Sequence, residues 1–140
     1  MKVLLDTNII LDYALERQPF FYDSEEIFTA IQNQQVTGYV SASTLSDLYY
    51  IIRKKKGKEW AIAFVTRLVH LCEVARCDRQ TIDIALKANF NDFEDGIQYG
   101  AAIVNQLDTI ITRNIQDFPV TDIQILTSDR LIEQISDRRS

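Results

Sequence analysis

The sequence predicts an α/β domain organised around a mostly parallel sheet. Three observations carry the prediction. Five short apolar runs read as strands, segments of helical period separate them, and only two prolines and four glycines interrupt 140 residues. Strands alternating with helices form βα units, and such units build parallel sheets covered by helices. No linker-like or repetitive stretch divides the chain, so one domain over residues 1–140 is expected.

The elements follow in order. Lys2-Val3-Leu4-Leu5 is a buried strand that ends abruptly at Asp6-Thr7-Asn8, and Ile9-Ile10-Leu11 opens a helix. Asp23-Ser24-Glu25-Glu26 has the form of a capping box ahead of Ile27, Phe28 and Ile31. Gly38-Tyr39-Val40-Ser41 is the second strand. Ser43 then starts a helix with Leu45, Leu48, Tyr49 and Ile52 at helical spacing. That helix stops at Gly57, after the cations Arg53-Lys54-Lys55-Lys56. A helix from Trp60 to His70 precedes a short strand, Glu73-Val74-Ala75, and Asp78 caps a helix toward Ala88. Asn91-Asp92-Phe93-Glu94 is a second capping-box pattern, opening a helix to about Asn105. Thr109–Thr112 and Ile123–Leu126 are the last two strands, and a helix from Ser128 to Ile135 leads to a basic tail.

Composition narrows the function classes. Hydrophobic residues make up 46% and charged residues 25%, as in an ordinary globular protein, so wholesale disorder is excluded. The net charge is −5, and nucleic-acid binders usually carry a basic surface. Bound divalent metal inverts local charge, so an acidic chain is still able to act on nucleic acid. Asp6 arrives too early for a secretory segment, and no apolar run approaches the ~18 residues of a membrane span. The cytoplasm is the expected compartment, with no membrane association. Cys72, Cys77 and His70 fit no zinc spacing and are expected in ordinary structural roles.

Function in parallel sheets gathers at the carboxyl ends of strands. Asp6 follows the first strand there, and Asp47 lies on the helix after the second. Asp92, Glu94 and Asp95 begin the Asn91 helix, and Asn114 and Asp117 follow the Thr109 strand. Oxygen donors of this kind suit Mg²⁺ and Mn²⁺. A cation held by carboxylates against a phosphate needs no nucleophilic side chain, and none is evident. Glu94 reads as a capping partner of Asn91, Asp92 as a complement to the helix dipole, and Asp47 falls roughly opposite its helix's apolar stripe. Gly96 and Gly100, inside a helix, point to a close approach, by a packed helix rather than by substrate. The basic run from Arg53 to Lys58 reads as a solvated helix end or as a contact for RNA phosphates or an acidic partner, and Arg113 as either solvated or within reach of a phosphate. Mutual repulsion is expected to raise the pKa values of clustered acids.

Four motifs, in order, resemble those of PIN domains: Val3-Leu4-Leu5-Asp6-Thr7-Asn8-Ile9-Ile10-Leu11-Asp12, Ser41-Ala42-Ser43-Thr44-Leu45-Ser46-Asp47-Leu48, Asp92-Phe93-Glu94-Asp95-Gly96-Ile97-Gln98 and Thr112-Arg113-Asn114-Ile115-Gln116-Asp117-Phe118. The resemblance spans residues 2 to 126. It implies a three-layer α/β/α domain with a central five-stranded sheet and Mg²⁺- or Mn²⁺-dependent cleavage of RNA. Many small members are the toxin half of VapC-type toxin–antitoxin pairs, which implies an antitoxin partner, and dimers are common among them. Carried over, Asp6, Asp47 and Asp95 bind the metal. The fourth acidic position falls at or beside Asn114, so either its amide or the Asp117 carboxylate completes the set.

Two other readings compete. A PIN-like module that has lost catalysis would bind only RNA or protein, and the amide at Asn114 speaks for it. An aspartyl-phosphate phosphatase would need an acid two residues after Asp6, where Asn8 stands, and a receiver domain would need an acidic pair that is not evident.

Overall fold

The structure is a computed structural model that describes residues 1–139. In chain order its elements are β1 (Lys2–Leu5), α1 (Thr7–Ala14), α2 (Phe21–Gln32), β2 (Thr37–Ser41), α3 (Ala42–Lys56), α4 (Lys58–Leu71), β3 (Glu73–Ala75), α5 (Arg79–Ala88), α6 (Phe93–Val104), β4 (Thr109–Ile111), a 3-10 turn (Ile115–Asp117), β5 (Gln124–Leu126) and α7 (Ser128–Arg139). The strands form one sheet in the order β3-β2-β1-β4-β5, and every pairing is parallel.

Val3, Leu4 and Leu5 are all fully buried, because helices cover both faces of β1. Val3 and Leu5 join a core with Ile10 of α1, Ile27 of α2, Ile52 of α3, Leu68 of α4 and Leu131 of α7. Leu4, between them, joins the opposite core with Ala101 and Ala102 of α6. The period-two alternation of one strand thus separates the two helical layers.

From β1 the chain steps outward through β2 to β3, then crosses back to β4 and on to β5. The order reverses between β1 and β4. In open α/β sheets, the crevice beyond the carboxyl ends of strands at such a reversal is the expected ligand site.

Local signals misplace two helix starts. α2 begins at Phe21 with no side-chain cap, so Asp23-Ser24-Glu25-Glu26 lies inside the helix. Aromatic packing overrides the local pattern: Tyr13 stacks on Phe28 at 4.4 Å and parallel to Phe21 at 6.1 Å. At α6, Asp92 rather than Asn91 is the cap, accepting the Glu94 N–H at 2.8 Å. The expected caps at Asp78, with its Thr81 partner, and the stop at Gly57, with φ of 91°, are present. The last helix runs on past Ile135 through Arg139, so most of the basic tail is helical. Ser140 lies outside the described residues.

α6 packs against α5 across Gly96 and Gly100. A Cβ at Gly100 would stand 2.6 Å from the Thr81 carbonyl oxygen, whereas one at Gly96 would meet Ala85 at 3.4 Å or more. Gly100→Ala is therefore expected to destabilise the protein by about 1–3 kcal/mol, the range for overpacking a tight site. Gly96→Ala is expected to be near neutral, since helix propensity favours Ala by up to ~1 kcal/mol. Urea unfolding of the two variants checks the contrast.

Candidate active site

Strand register builds the centre of the site. Leu5 pairs with Ile111, which sets Asp6 and Thr112 side by side where β1 and β4 end. The Asp6 N–H continues the ladder to the Ile111 carbonyl at 3.0 Å. The Asp6 side chain then turns to cap α1, accepting the Thr7 N–H at 2.8 Å through Oδ1. Its Oδ2 accepts the Thr112 hydroxyl at 2.9 Å. Thr112 Oγ1 in turn accepts the Asn114 N–H at 3.1 Å, which fixes the chain just after β4.

The electrostatics are those of crowded, partly buried acids. Asp6 is only 8% exposed. Burial raises its carboxyl above the ordinary range. The Thr112 and Thr7 hydrogen bonds oppose that rise, Asp117 adds to it, and Arg113 opposes it. Asp95, in the first turn of α6, is pushed up to about 7. Burial is the main cause, and the charges of Asp6, Asp92, Asp117 and Glu94 add to it. Asp117 thus acts on Asp6, and Asp6 and Asp117 act on Asp95, although the three come from the cap of α1, the 3-10 turn and α6. The expected rise in pKa is present at Asp6 and Asp95, but its first cause is burial, and the expected repulsion between acids only adds to it.

The remaining predicted residues stand differently. Asp47 is exposed on α3 and lines a cleft of about 160 Å³ with Thr7, Ser43, Thr44, Glu94, Ile97 and Gln98. Asp95 and Asp117 line a neighbouring cleft of about 210 Å³ with Asn89, Phe90, Asn91, Asp92, Gln116 and Pro119. Asn114 is half-buried. Among the described residues, no three His, Cys, Asp or Glu side chains close into a ligand set. The coupling is through charge.

Two residues escaped the sequence reading. Gln98 is buried on α6 and donates to Thr44 Oγ1 at 2.9 Å and to Thr7 Oγ1 at 3.4 Å, tying α6 to α3 and to the start of α1. Its Oε1 is buried without a partner beside the Asp47 cleft. Asp12 is fully buried on α1, with Arg113 Nε 3.1 Å and Arg17 Nη1 3.8 Å away. Both side chains sat inside motifs that had been read for other residues. Their nearest partners, Thr44 for Gln98 and Arg113 for Asp12, lie far along the chain, which no local pattern reports.

The donor chemistry fits a hard divalent cation. Asp6, Asp47, Asp95 and Asp117 offer carboxylate oxygen, Asn114 and the orphan Gln98 Oε1 offer amide oxygen, and no His or Cys lines either cleft. His70 lines a separate cleft, Cys72 is buried and Cys77 is a free thiol.

A family model described as PIN domain matches residues 2–116. The chain belongs to the PIN-domain family. Solved structures share the fold of this PIN domain. The DNA-bound VapBC of Salmonella typhimurium aligns with a TM-score of 0.70 at 23% identity, over 91% of this chain and 98% of that one. VapBC-1 of nontypeable Haemophilus influenzae gives 0.69 at 22% identity, over 92% and 99%. VapC20 of Mycobacterium tuberculosis, described as a toxin that cleaves the sarcin-ricin loop, gives 0.61 at 10% identity, over 77% and 86%. No curated protein matches this PIN domain by sequence.

Thr112 is the hinge of the site. Thr112→Val is expected to raise the Asp6 carboxyl further, because the hydroxyl now lowers it. The change also orphans the Asn114 N–H and one carboxylate oxygen, at about 1–3 kcal/mol for a buried group left unpaired. A carboxyl NMR titration and a urea melt check the two effects.

Proposed function

We propose that this PIN domain is an endoribonuclease that uses Mg²⁺ or Mn²⁺ to hydrolyse RNA phosphodiester bonds, acting as the toxin of a type II toxin–antitoxin pair. The observation that carries the reading is the gathering of buried Asp6, paired to Thr112 where β1 and β4 end, with Asp95 and Asp117: Asp117 raises Asp6, and Asp6 and Asp117 raise Asp95. Carboxylates held this way are unfavourable alone and favourable around a cation. Asp6, Asp95 and Asp117 would hold it, with Asp47 and the Asn114 amide as flanking donors. Bound there, the metal would polarise the scissile phosphate and activate water.

The chain's own groups do the rest. Thr7 N–H and the Thr112 hydroxyl orient the Asp6 carboxylate, leaving lone pairs of both oxygens for a cation. Gln98 ties α6, which carries Asp95, to Thr7 beside Asp6 and to Thr44 on α3, which carries Asp47. Similarity to VapBC complexes supports an antitoxin as partner. A cleft of about 310 Å³, where Phe28, Phe64, Leu68 and Leu71 stand beside Arg67 and His70, offers such a partner a mixed apolar and polar surface.

A second reading, a PIN-like module that binds without cutting, draws on the amide at Asn114 and on the unclosed acid set among the described residues. One experiment separates the two. Purified protein is incubated with single-stranded RNA in Mn²⁺, in Mg²⁺ and in EDTA, with Asp6→Asn as control. Cleavage that needs the metal and Asp6 supports the nuclease. Binding without cleavage in any metal overturns it in favour of the module.

A further inference from the structure

Arg113 follows Thr112 directly and is held from two sides. Its Nε lies 3.1 Å from Oδ2 of Asp12, and its guanidinium carbon sits 4.1 Å from the centre of the Phe20 ring. Cation–ring contact at this distance is favourable and fixes the guanidinium plane. Asp12 is fully buried, yet neither oxygen completes a hydrogen bond, and the Arg113 Nε–H is likewise unsatisfied. The pair is therefore an off-axis ion pair, close in distance and poor in angle. Removing a carboxylate from water is costly, and Arg17, at 3.8 Å, adds only a long contact. The geometry restricts where the guanidinium lies without using up its donors. The Nη groups of Arg113 are hydrogen-bonded to none of the described residues, and 28% of the side chain is exposed. Arg113 lines a cleft of about 200 Å³ with Asp12, Phe20, Asp23 and Asp129, and its charge also reaches the Asp6 carboxyl.

We propose that Asp12 is a positioning residue, which together with Phe20 holds the Arg113 guanidinium in this cleft, next along the chain to the Asp6–Thr112 pair, so that its free Nη groups take a phosphate oxygen of the RNA. The proposal rests on the ribonuclease reading above and adds to it the group that contacts the backbone. A guanidinium suits that task because its paired donors match phosphate oxygens. An acidic pocket needs such a group, since phosphate and carboxylates repel until a cation stands between them.

The test uses binding, so that chemistry does not enter. A fluorescent single-stranded RNA is titrated with protein in EDTA at several salt concentrations, and the slope of log Kd against log salt is read. Arg113→Ala is expected to weaken binding and to reduce the slope by about 1, one phosphate contact. Arg113→Lys keeps a charge but not the fork or the ring contact, and is expected to recover less than half the lost affinity. Asp12→Asn leaves Arg113 charged and is expected to reproduce most of the Arg113→Ala slope change. The double variant should add little, as for residues acting through one another. Phe20→Leu, at an exposed position and therefore safe for folding, should shift the slope in the same direction. A merely structural Asp12 would lower the melting temperature of Asp12→Asn and leave the slope of the folded protein intact. That result, or an Arg113→Ala slope equal to wild type in a protein that cuts RNA, overturns the proposal alone. A wild-type protein that neither binds nor cuts RNA overturns the ribonuclease reading and the phosphate role with it.

Discussion

Asp6→Asn is expected to abolish metal-dependent RNA cleavage, lowering kcat by about 10³-fold or more, while the metal-free protein stays folded. The loss is large because a charge placed in a water-poor site is worth about 10²–10³-fold or more in rate. Asp6 sits at the centre of that site, 8% exposed and hydrogen-bonded on both oxygens. Survival of the fold follows from three local facts. Asn caps a helix about as well as Asp, so the Thr7 N–H keeps an acceptor. The amide carries no charge, so the burial that raises the Asp6 carboxyl no longer opposes folding. Repulsion on Asp95 and from Asp117 also disappears. Cleavage gels paired with urea melts test both halves. An unfolded Asp6→Asn would make Asp6 a structural cap and remove the basis of the nuclease reading.

The second large effect is on pH. Asp95 has its pKa pushed up to about 7, with burial as the main cause and Asp6, Asp92, Asp117 and Glu94 adding to it. Unfolded, it would titrate near 3.8. Between those values the folded state holds a proton that the unfolded state has lost, so stability falls as pH rises from about 4 to 7. One proton corresponds to a slope of at most about 1.4 kcal/mol per pH unit, and partial exposure reduces it. Asp6 and Asp12, also raised, act in the same direction. Asp78 and Asp129 are lowered, and their contribution is lost only in acid, below the ordinary carboxylate range. Metal-free protein is therefore expected to be less stable at pH 8 than at pH 5, and Asp95→Asn to flatten the profile. Because the proton and the cation compete for the same oxygens, Mg²⁺ or Mn²⁺ should bind more tightly as pH passes about 7. Thermal melts across pH, with and without metal, read both trends. A wild-type profile that rises from pH 5 to 8 in EDTA would contradict the crowded-acid description.

The parts legible in the sequence are those in which the signal is local. β1 is an unbroken apolar run, and the carboxylate at its end stands out because the next residues leave the strand. The acids of α6 and the donors after β4 were found because each follows a recognisable boundary. The sheet order is not written locally, and it is the order that places β4 beside β1 and Thr112 beside Asp6. Asp23 to Glu26 imitate a cap because four residues contain no information about Tyr13, whose ring settles where α2 begins. Asp12 falls in the same class. Nothing within its own helix distinguishes a solvated acid from one buried against Arg113, about a hundred positions away. Gln98 looks like a surface amide until α3 and α1 close over it.

Position 100 shows how far from the acids the chemistry extends. α6 rests on the backbone of Thr81 where a hydrogen atom stands in for a side chain. The same helix carries Asp95 at its other end. A methyl group at that seam would force the two helices apart, and any shift of α6 moves a carboxylate that the substitution never touches. Screens for inactive variants should therefore recover changes along the α5–α6 seam beside those in the pocket. Such variants would keep every carboxylate of the candidate site and yet hold Asp95 at the wrong spacing from Asp6.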